Sequence, residues 1–396
     1  MTDPRIEKLA DVLVNHSTRV KPGELVVISA DVNAMPLVEA TFAAVLKAGG
    51  QPEFVPRCES LREILIAKGS EAQVARPSGL QQWLIENADV HIVFWSETNT
   101  KFLSRYDPGR VALAQQARKP VMMRFMQREA EGSLRWVGTQ FPTHGAAQDA
   151  GMSLSQYENF VYGAGLLHLP DPAAAWDAIK QRQERVVDFL RGKKALRFRA
   201  PPDPAANGHD GTDLRVDVSA ATWINCFGDS NFPDGEVFAG PTLPPAGFGA
   251  DGHVNYTYPA CYQGREVEGV RLVFKGGRVV DAAAKRGEDF LHRMLDQDAG
   301  ARNMGEIAIG TNYAITDFSR NILFDEKIGG TFHAAVGAGY PKSGNTNDSG
   351  LHWDMVCDLR PRRTSSGGSL PGGTIEADGE TFHRDGKFLL PGWEQV

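Results

Sequence analysis

The chain has 396 residues, 42% of them hydrophobic and 23% charged, which suffices for two or three domains with their own cores and excludes a disulfide-stapled miniprotein or a disordered chain. Its 42 Lys and Arg against 49 Asp and Glu leave a net charge of −7 without a basic run, so nucleic acid is not an expected partner. The four scattered cysteines form no Cys-x-x-Cys pair, the N-terminus carries acids instead of an apolar leader, and no apolar run reaches about 18 residues, so a reducing cytoplasm is expected instead of secretion or a membrane.

Ile6, Leu9, Ala10, Leu13 and Val14 recur at helical spacing behind Asp3-Pro4, a cap followed by a first-turn proline, so the chain opens with an amphipathic helix. Glu24 to Ala30 then reads as a strand, Leu37 to Lys47 as a helix closed by Gly49-Gly50, and Gln51 to Cys58 as a second strand. The same alternation predicts a helix over 79–87 feeding a strand at Val90 to Trp95, and a helix over 110–117 feeding a buried strand at Val121 to Phe125. Alternating strands and helices predict a three-layer α/β domain with a mostly parallel sheet. A long helix from Pro172 to Arg191 follows, and Gly192-Lys193-Lys194 behind it marks the expected domain boundary, giving residues 1–194 and 195–396.

Beyond it the texture is that of a β-rich α+β domain. Short runs at Ala195 to Ala200, Leu214 to Val218, His253 to Tyr258, Val270 to Phe274 and Arg278 to Asp281 alternate, with a hairpin turn at Lys275-Gly276-Gly277 and one helix near 287–295. Glycine is dense from Gly329 to Gly350 and from Gly367 to Gly373, where loops turn sharply or approach something closely. The dinucleotide, P-loop, serine-hydrolase and His-Glu-x-x-His signatures are all missing from the sequence.

The segment Leu351 to Arg360, LHWDMVCDLR, carries the most chemical information. In a strand, residues two apart share a face, so His352 and Asp354 point one way and Trp353 the other. An imidazole beside a carboxylate suits a divalent metal. His333 lies in a glycine-rich run 19 residues earlier, with Glu326 seven residues before it. Glu306 opens the apolar run GEIAIGTN, where an unpaired carboxylate would be costly. Glu236 follows the turn Pro233-Asp234-Gly235. Alone, each of these acids has an ordinary reading as a solvated turn or surface carboxylate. The remaining histidines, His91, His144, His168, His209, His253, His292 and His383, read as core or surface residues, and Asp358 with Arg360 as an ion pair that orients Asp354.

The ordered motifs GEVFAGP, MGEIAIGTN, ILFDEKIGGTFHAAVGAGYP and LHWDMVCDLR resemble the metal-site pattern of the M29 metallopeptidases, the aminopeptidase T family. The N-terminal stretch GELVVISADVNAMPLVEATFAAVLKAGGQPEFV is also similar to that family, so the resemblance spans nearly the whole chain. It implies a metal-dependent aminopeptidase acting on short peptides, a homodimer, and a C-terminal domain that holds two divalent ions per chain. The ligand set carried over is Glu236, Glu306, Glu326, His333, His352 and Asp354, with Tyr340 at the active site. One departure stands out. The family's shorter form has a DEN-type loop between acid and histidine, whereas Lys327 to Phe332 makes a longer connection here.

Oxygen and imidazole donors without cysteine favour Zn, Co, Mn or Mg over a closed structural zinc site. Such ions acidify a water and polarise a scissile carbonyl; Tyr340 would then donate to the oxyanion and Glu306 or Glu326 would move the proton. A competing reading takes His333, His352 and Asp354 as a two-histidine, one-carboxylate triad for mononuclear Fe(II) in a ring-cleaving dioxygenase of the dihydroxypyridine type. A metal-stabilised protein without turnover is a third.

Overall fold

The computed structural model describes residues 3–202, 210–363 and 368–393, so His209 and Gly367 of the readings above fall outside the described residues. The chain divides into two compact units: the first runs to Ala175 and takes in Gly228–Pro233, and the second comprises Trp176–Phe227 and the chain from Asp234 onward. The expected boundary at 194/195 sits at the far end of the helix Pro172–Leu190, whereas the division falls near its start. The reason is packing: Val186, Val187 and Leu190 belong to the core of the second unit, so Gly192-Lys193-Lys194 ends a helix without ending a domain.

The first unit is a mixed α/β structure around a five-stranded sheet, in the order Gln51–Arg57, Leu25–Asp31, Val90–Trp95, Arg135–Gln140, Asn231–Phe232, in which every pairing is parallel. The opening helix is capped by Asp3, which accepts from the Arg5 backbone N–H at 2.9 Å. The strand expected at Val121 to Phe125 is instead the second half of one helix, Pro108–Ala130. So short a run has no period of its own, and Pro120 directly before it, which reads as a break, lies instead inside the helix, with good helix formers (Ala, Gln, Arg, Met) on both sides. Met122 and Met123 are exposed on that helix, not part of a core, while Phe125 packs edge-on against Trp136. The next strand of the sheet is Arg135–Gln140, one turn further on.

The second unit stacks two antiparallel sheets. One has eight strands and includes Ala195–Ala200, Thr212–Asp217, Ala250–Asn255, Arg271–Lys275 and Arg278–Ala283, all close to their expected positions. The other has five, in the order His352–Asp358, Thr331–Gly337, Met304–Gly310, Glu236–Ala239, Ile224–Cys226. Alternate residues of the five-stranded sheet, among them Ile307, Ile309, Phe332, Val336 and Trp353, share one hydrophobic core with Phe198, Leu214 and Val216 of the eight-stranded sheet. Phe198 and Phe332 meet with ring centroids 4.5 Å apart. This dry contact fixes which face of the five-stranded sheet is left for chemistry. Among the described residues no helix is long and apolar enough to cross a membrane.

His383 lies in the core of the second unit, fully buried, with Phe388 edge-on to its ring at 4.9 Å and neither ring nitrogen hydrogen-bonded. Burial pushes its pKa down to about 3. A base whose folded pKa lies below the unfolded one contributes stability that is complete above about 6.5 and falls as pH drops toward 3. Between pH 6.5 and pH 5 this amounts to about 2 kcal/mol. His383→Leu is therefore expected to lose less stability than the parent chain between pH 7 and pH 5, by about that amount, in urea titrations; parallel losses would remove His383 from the acid response.

Candidate metal centre

Four neighbouring strands each contribute to one patch. Antiparallel register sets Ala335 opposite both Glu306 and Asp354, Gly337 opposite His352, Ala308 opposite His333, and Gly310 opposite Glu236. Small residues thus alternate with the polar ones on this face and leave a floor over which long side chains converge. The register shifts between Met304 and Glu306, a bulge of the kind that re-aims a side chain beside a site. Two glycines have no substitute here: Gly235, at φ +119, precedes Glu236 with the Cβ of Asn312 2.7 Å from where a Cβ would stand, and Gly337, at φ +101, has the Leu351 carbonyl oxygen 2.2 Å from that point.

His333 is the hub. Its Nδ1 donates to the Glu326 backbone carbonyl at 3.0 Å, which turns Nε2 toward the acids: Glu306 Oε1 at 3.1 Å, Glu236 Oε2 at 3.5 Å and Asp354 Oδ1 at 3.9 Å. His352 is held the same way, Nδ1 to the Ala338 carbonyl at 2.8 Å, with Nε2 3.3 Å from Asp354 Oδ1 and 3.9 Å from Glu306 Oε2. Fixing one ring nitrogen on the backbone so that the other faces inward is how metal-binding histidines are oriented. The structure therefore brings Glu236, Glu306, Glu326, His333, His352 and Asp354 into one cluster. Tyr340 stands at its edge, its ring 5.0 Å from that of His352 and 5.8 Å from that of Phe238. Trp353, on the opposite face, packs against Tyr262 and Phe290.

The electrostatics are those of desolvated acids. Burial pushes the carboxyls of Glu236, Glu306 and Glu326 up. At Asp354 burial works the same way, but the charge of His352, 3.3 Å away, outweighs it and holds the carboxyl far below its ordinary range. Burial opposes a charge on either histidine, yet the surrounding carboxylates prevail: Glu306 chiefly at His333 and Asp354 chiefly at His352 hold both imidazoles up at about 10. Burial, with the nearby acids behind it, raises the Tyr340 phenol well above its usual value, so it stays a hydrogen-bond donor.

Glu236 Oε2 and Asp354 Oδ1 are buried with no hydrogen-bond partner, an expensive state unless a cation completes them. Ligand atoms of Glu236, Glu306 and His333 lie within 4.8 Å of one another, and so do those of Glu326, His333 and Asp354. This donor set fits divalent ions bound by oxygen and imidazole. A third group, Cys226, Asp234 and Glu236, meets the same spacing. Cys226 is paired directly across from Glu236, and no motif in the sequence singled it out. Lys327 was missed as well: it is wholly buried against Glu326, 3.6 Å from Glu236 Oε1 and 4.0 Å from Asp234 Oδ1. Its only signal is one cation directly after Asp325-Glu326, in a segment flanked by Ile322-Leu323-Phe324 and Ile328. Asp358 and Arg360 do pair, at 2.8 Å, but both bond to the Tyr258 hydroxyl instead of orienting Asp354.

The sequence profile of the family described as thermophilic metalloprotease (M29) matches residues 2–388. The chain belongs to the M29 metalloprotease family. It is 27% identical over 359 residues to aminopeptidase 2 of Geobacillus stearothermophilus, covering 86% of this chain and 84% of that protein. It is 26% identical to aminopeptidase T of Thermus aquaticus, with 87% of each covered. The fold matches wild-type AmpT from Thermus thermophilus with a TM-score of 0.81 at 22% identity, over 98% of this chain and 99% of that one. The M29 assignment leaves the ring-cleaving iron alternative without support, as does the crowding of Glu236 and Glu306 on the His333 nitrogen that such a triad would use.

Because both imidazoles are held protonated and a metal ligand must be neutral, ion binding is expected to release up to about two protons near pH 7, with apparent affinity rising as pH increases from 6 to 9. Calorimetry in buffers of different ionisation enthalpy reads this directly. Heats that do not depend on the buffer would remove one or both histidines from the ligand set.

Proposed function

We propose that this chain, a metalloaminopeptidase of the M29 family, removes N-terminal residues from short peptides with the help of two divalent ions (Zn, Co, Mn or Mg) held by Glu236, Glu306, Glu326, His333, His352 and Asp354. The observation that carries the reading is the convergence of four carboxylates and two imidazoles, within which the groups Glu236/Glu306/His333 and Glu326/His333/Asp354 each meet metal-ligand spacing; the inward nitrogen of His333 serves one ion, and His352, 3.3 Å from Asp354, is available to the other. The aminopeptidase names of the relatives support the exopeptidase activity. Bound ions of this type acidify a water and polarise a scissile carbonyl.

The chain's own residues divide the remaining work. Glu306, whose Oε1 accepts from His333 and whose pKa burial raises, takes a proton from the attacking water and returns it to the departing amine as the C–N bond breaks. Tyr340, kept protonated, donates its phenol hydrogen to the oxygen on which negative charge develops. His352, ring to ring with Tyr340, positions it.

The proposal extends to a cytoplasmic homodimer. All four cysteines are free, as a reducing compartment favours, and the first unit exposes Leu61, Trp83, Met122 and Met123, side chains that oligomers commonly cover. Light scattering is expected to give twice the chain mass, and an active monomer would overturn the dimer.

Elemental analysis of protein purified without chelators is expected to find two divalent ions per chain, with release of free amino acid from a short peptide abolished by EDTA and restored by adding an ion back. Iron at one equivalent with no release would overturn the reading. Tyr340→Phe is expected to lower kcat on the order of a hundredfold at unchanged metal content, and unaltered turnover would take Tyr340 out of the chemistry.

A further inference from the structure

Gln183 has no exposed surface and lies in the helix Pro172–Leu190. Its carboxamide reaches four groups at once. Nε2 donates to Asn225 Oδ1 at 2.5 Å, to the Cys226 carbonyl at 2.8 Å and to the Glu236 carbonyl at 3.3 Å, and Oε1 accepts from the Thr311 hydroxyl at 2.7 Å. Two N–H groups thus serve three oxygens, and the amide is fully used. Asn225 answers from the sheet side, its Nδ2 donating to the Lys180 carbonyl and to Glu184 Oε2 of the same helix, both at 3.0 Å.

Cys226 and Glu236 are paired across the end of the ladder between Ile224–Cys226 and Glu236–Ala239, and the carbonyls of both converge on this one nitrogen. The strand Ile224–Cys226 is three residues long and lies at the edge of its sheet. Few ladder bonds hold it, and two converging carbonyls need a donor between them. Gln183 supplies it from the helix. Three successive backbone carbonyls ahead of the ligand are pinned in this way: Asp234 accepts from the Asn312 side-chain amide at 2.8 Å, Gly235 from the Thr311 N–H at 2.9 Å, and Glu236 from Gln183. Glu236 Oε2 lies 3.5 Å from His333 Nε2 without a hydrogen-bond partner. The two histidines are aimed by bonds to their own rings, whereas the aim of this oxygen follows chiefly from the backbone that carries it.

We propose that Gln183 is a positioning residue of the metal centre: by tying the Glu236 carbonyl to the helix Pro172–Leu190 it sets the direction of the Glu236 carboxylate, and with it the affinity for the ion that this carboxylate binds. This rests on the two-ion reading above and places part of the ion affinity in a side chain that touches no ion. Removing a partner that orients a metal ligand costs roughly ten- to a hundredfold in affinity. Because the pairing of Glu236 with Gly310 remains when Gln183 is replaced, the lower end, about tenfold, is expected.

The test is calorimetric titration of the metal-free full chain with Mn2+, at a temperature where circular dichroism shows every variant folded. Gln183→Met is expected to weaken one of the two ions about tenfold. Thr311→Val, which removes the hydroxyl that orients the amide, is expected to weaken the same ion by less, and Thr311→Ser, which keeps the hydroxyl, to bind as wild type. Val186→Ala opens a cavity in the core beside the same helix and is the control for stability alone: it is expected to lower Tm without moving either ion affinity. Should Gln183→Met not fold, the Thr311 pair carries the comparison. Wild-type affinities in Gln183→Met, equal affinities in the Val and Ser variants of Thr311 when that pair carries the comparison, or an equal weakening in Val186→Ala, would overturn the positioning role and leave the two-ion reading intact. One ion in wild type, weakened by Gln183→Met, would overturn the two-ion count and keep the role of Gln183. No ion in wild type would overturn both.

Discussion

Negative charge packed at low dielectric against a rigid floor is the constraint on which the second unit is organised. Glu236, Glu306, Glu326 and Asp354 converge on a face whose reverse side is a dry sandwich core. Carboxylates drawn out of water this far must be protonated, paired or metal-bound, and the structure shows the pull of burial and of pairing side by side. Burial pushes the glutamates up, while His352 and His333 keep Asp354 ionised. A site in this condition is poised to exchange protons for divalent cations, since each cation removes the reason for several perturbed protonation states at once.

The β-sandwich makes such a patch possible because strand neighbours are fixed by backbone hydrogen bonds, not by the side chains that repel one another. His333, Glu306 and Asp354 come from three adjacent strands, and their mutual distances follow from register. Ala308, Ala335, Gly310 and Gly337 are as much a part of the arrangement as the ligands: the two alanines stand across from His333, Glu306 and Asp354, and a Cβ at Gly310 or Gly337 would strike the Ile328 or Leu351 carbonyl oxygen. The core behind supplies the cohesion that repulsion on the working face subtracts: each large apolar side chain it buries contributes roughly 1.5–3 kcal/mol, and Phe332, Val336 and Trp353 are all wholly or almost wholly buried there.

What the sequence disclosed and what it withheld follow from the range of the interactions. The alternation His352-Trp353-Asp354 shows a two-faced strand at once, because side-chain direction in a strand is a local property, and the structure puts Trp353 in the core and the flanking pair on the site. The strands Leu25–Asp31, Val90–Trp95, Ala195–Ala200 and Arg278–Ala283 were legible for the same reason, whereas Arg135–Gln140 and the short strands Ile224–Cys226 and Asn231–Phe232 were not. The helix Pro108–Ala130 was not, since Val121 to Phe125 has strand-like apolarity and Pro120 just before it reads as a break although the helix runs through it. The division of the chain was hidden too: Val186 and Leu190 choose their core by tertiary packing. Within the site, resemblance gathered the six donors, and geometry then showed what no motif states, that Lys327 and Cys226 border the same acids. A lysine next to Glu326 in a charged-looking turn reads as solvated. Only the fold reveals that the turn is an interior one.

Both histidines fix their inner tautomer through a backbone carbonyl, His333 on Glu326 and His352 on Ala338, and this choice has a mechanical consequence. A side-chain acceptor could rotate or titrate away. A carbonyl belonging to the connection before the His333 strand, or to the loop between the His333 and His352 strands, moves only if that backbone moves. The longer connection from Lys327 to Phe332 therefore does not loosen the centre, because the same connection that carries Lys327 into the acids also supplies, at Glu326, the carbonyl that aims His333. Ligand orientation and countercharge are set by one segment, so a change in its length or path would alter both together.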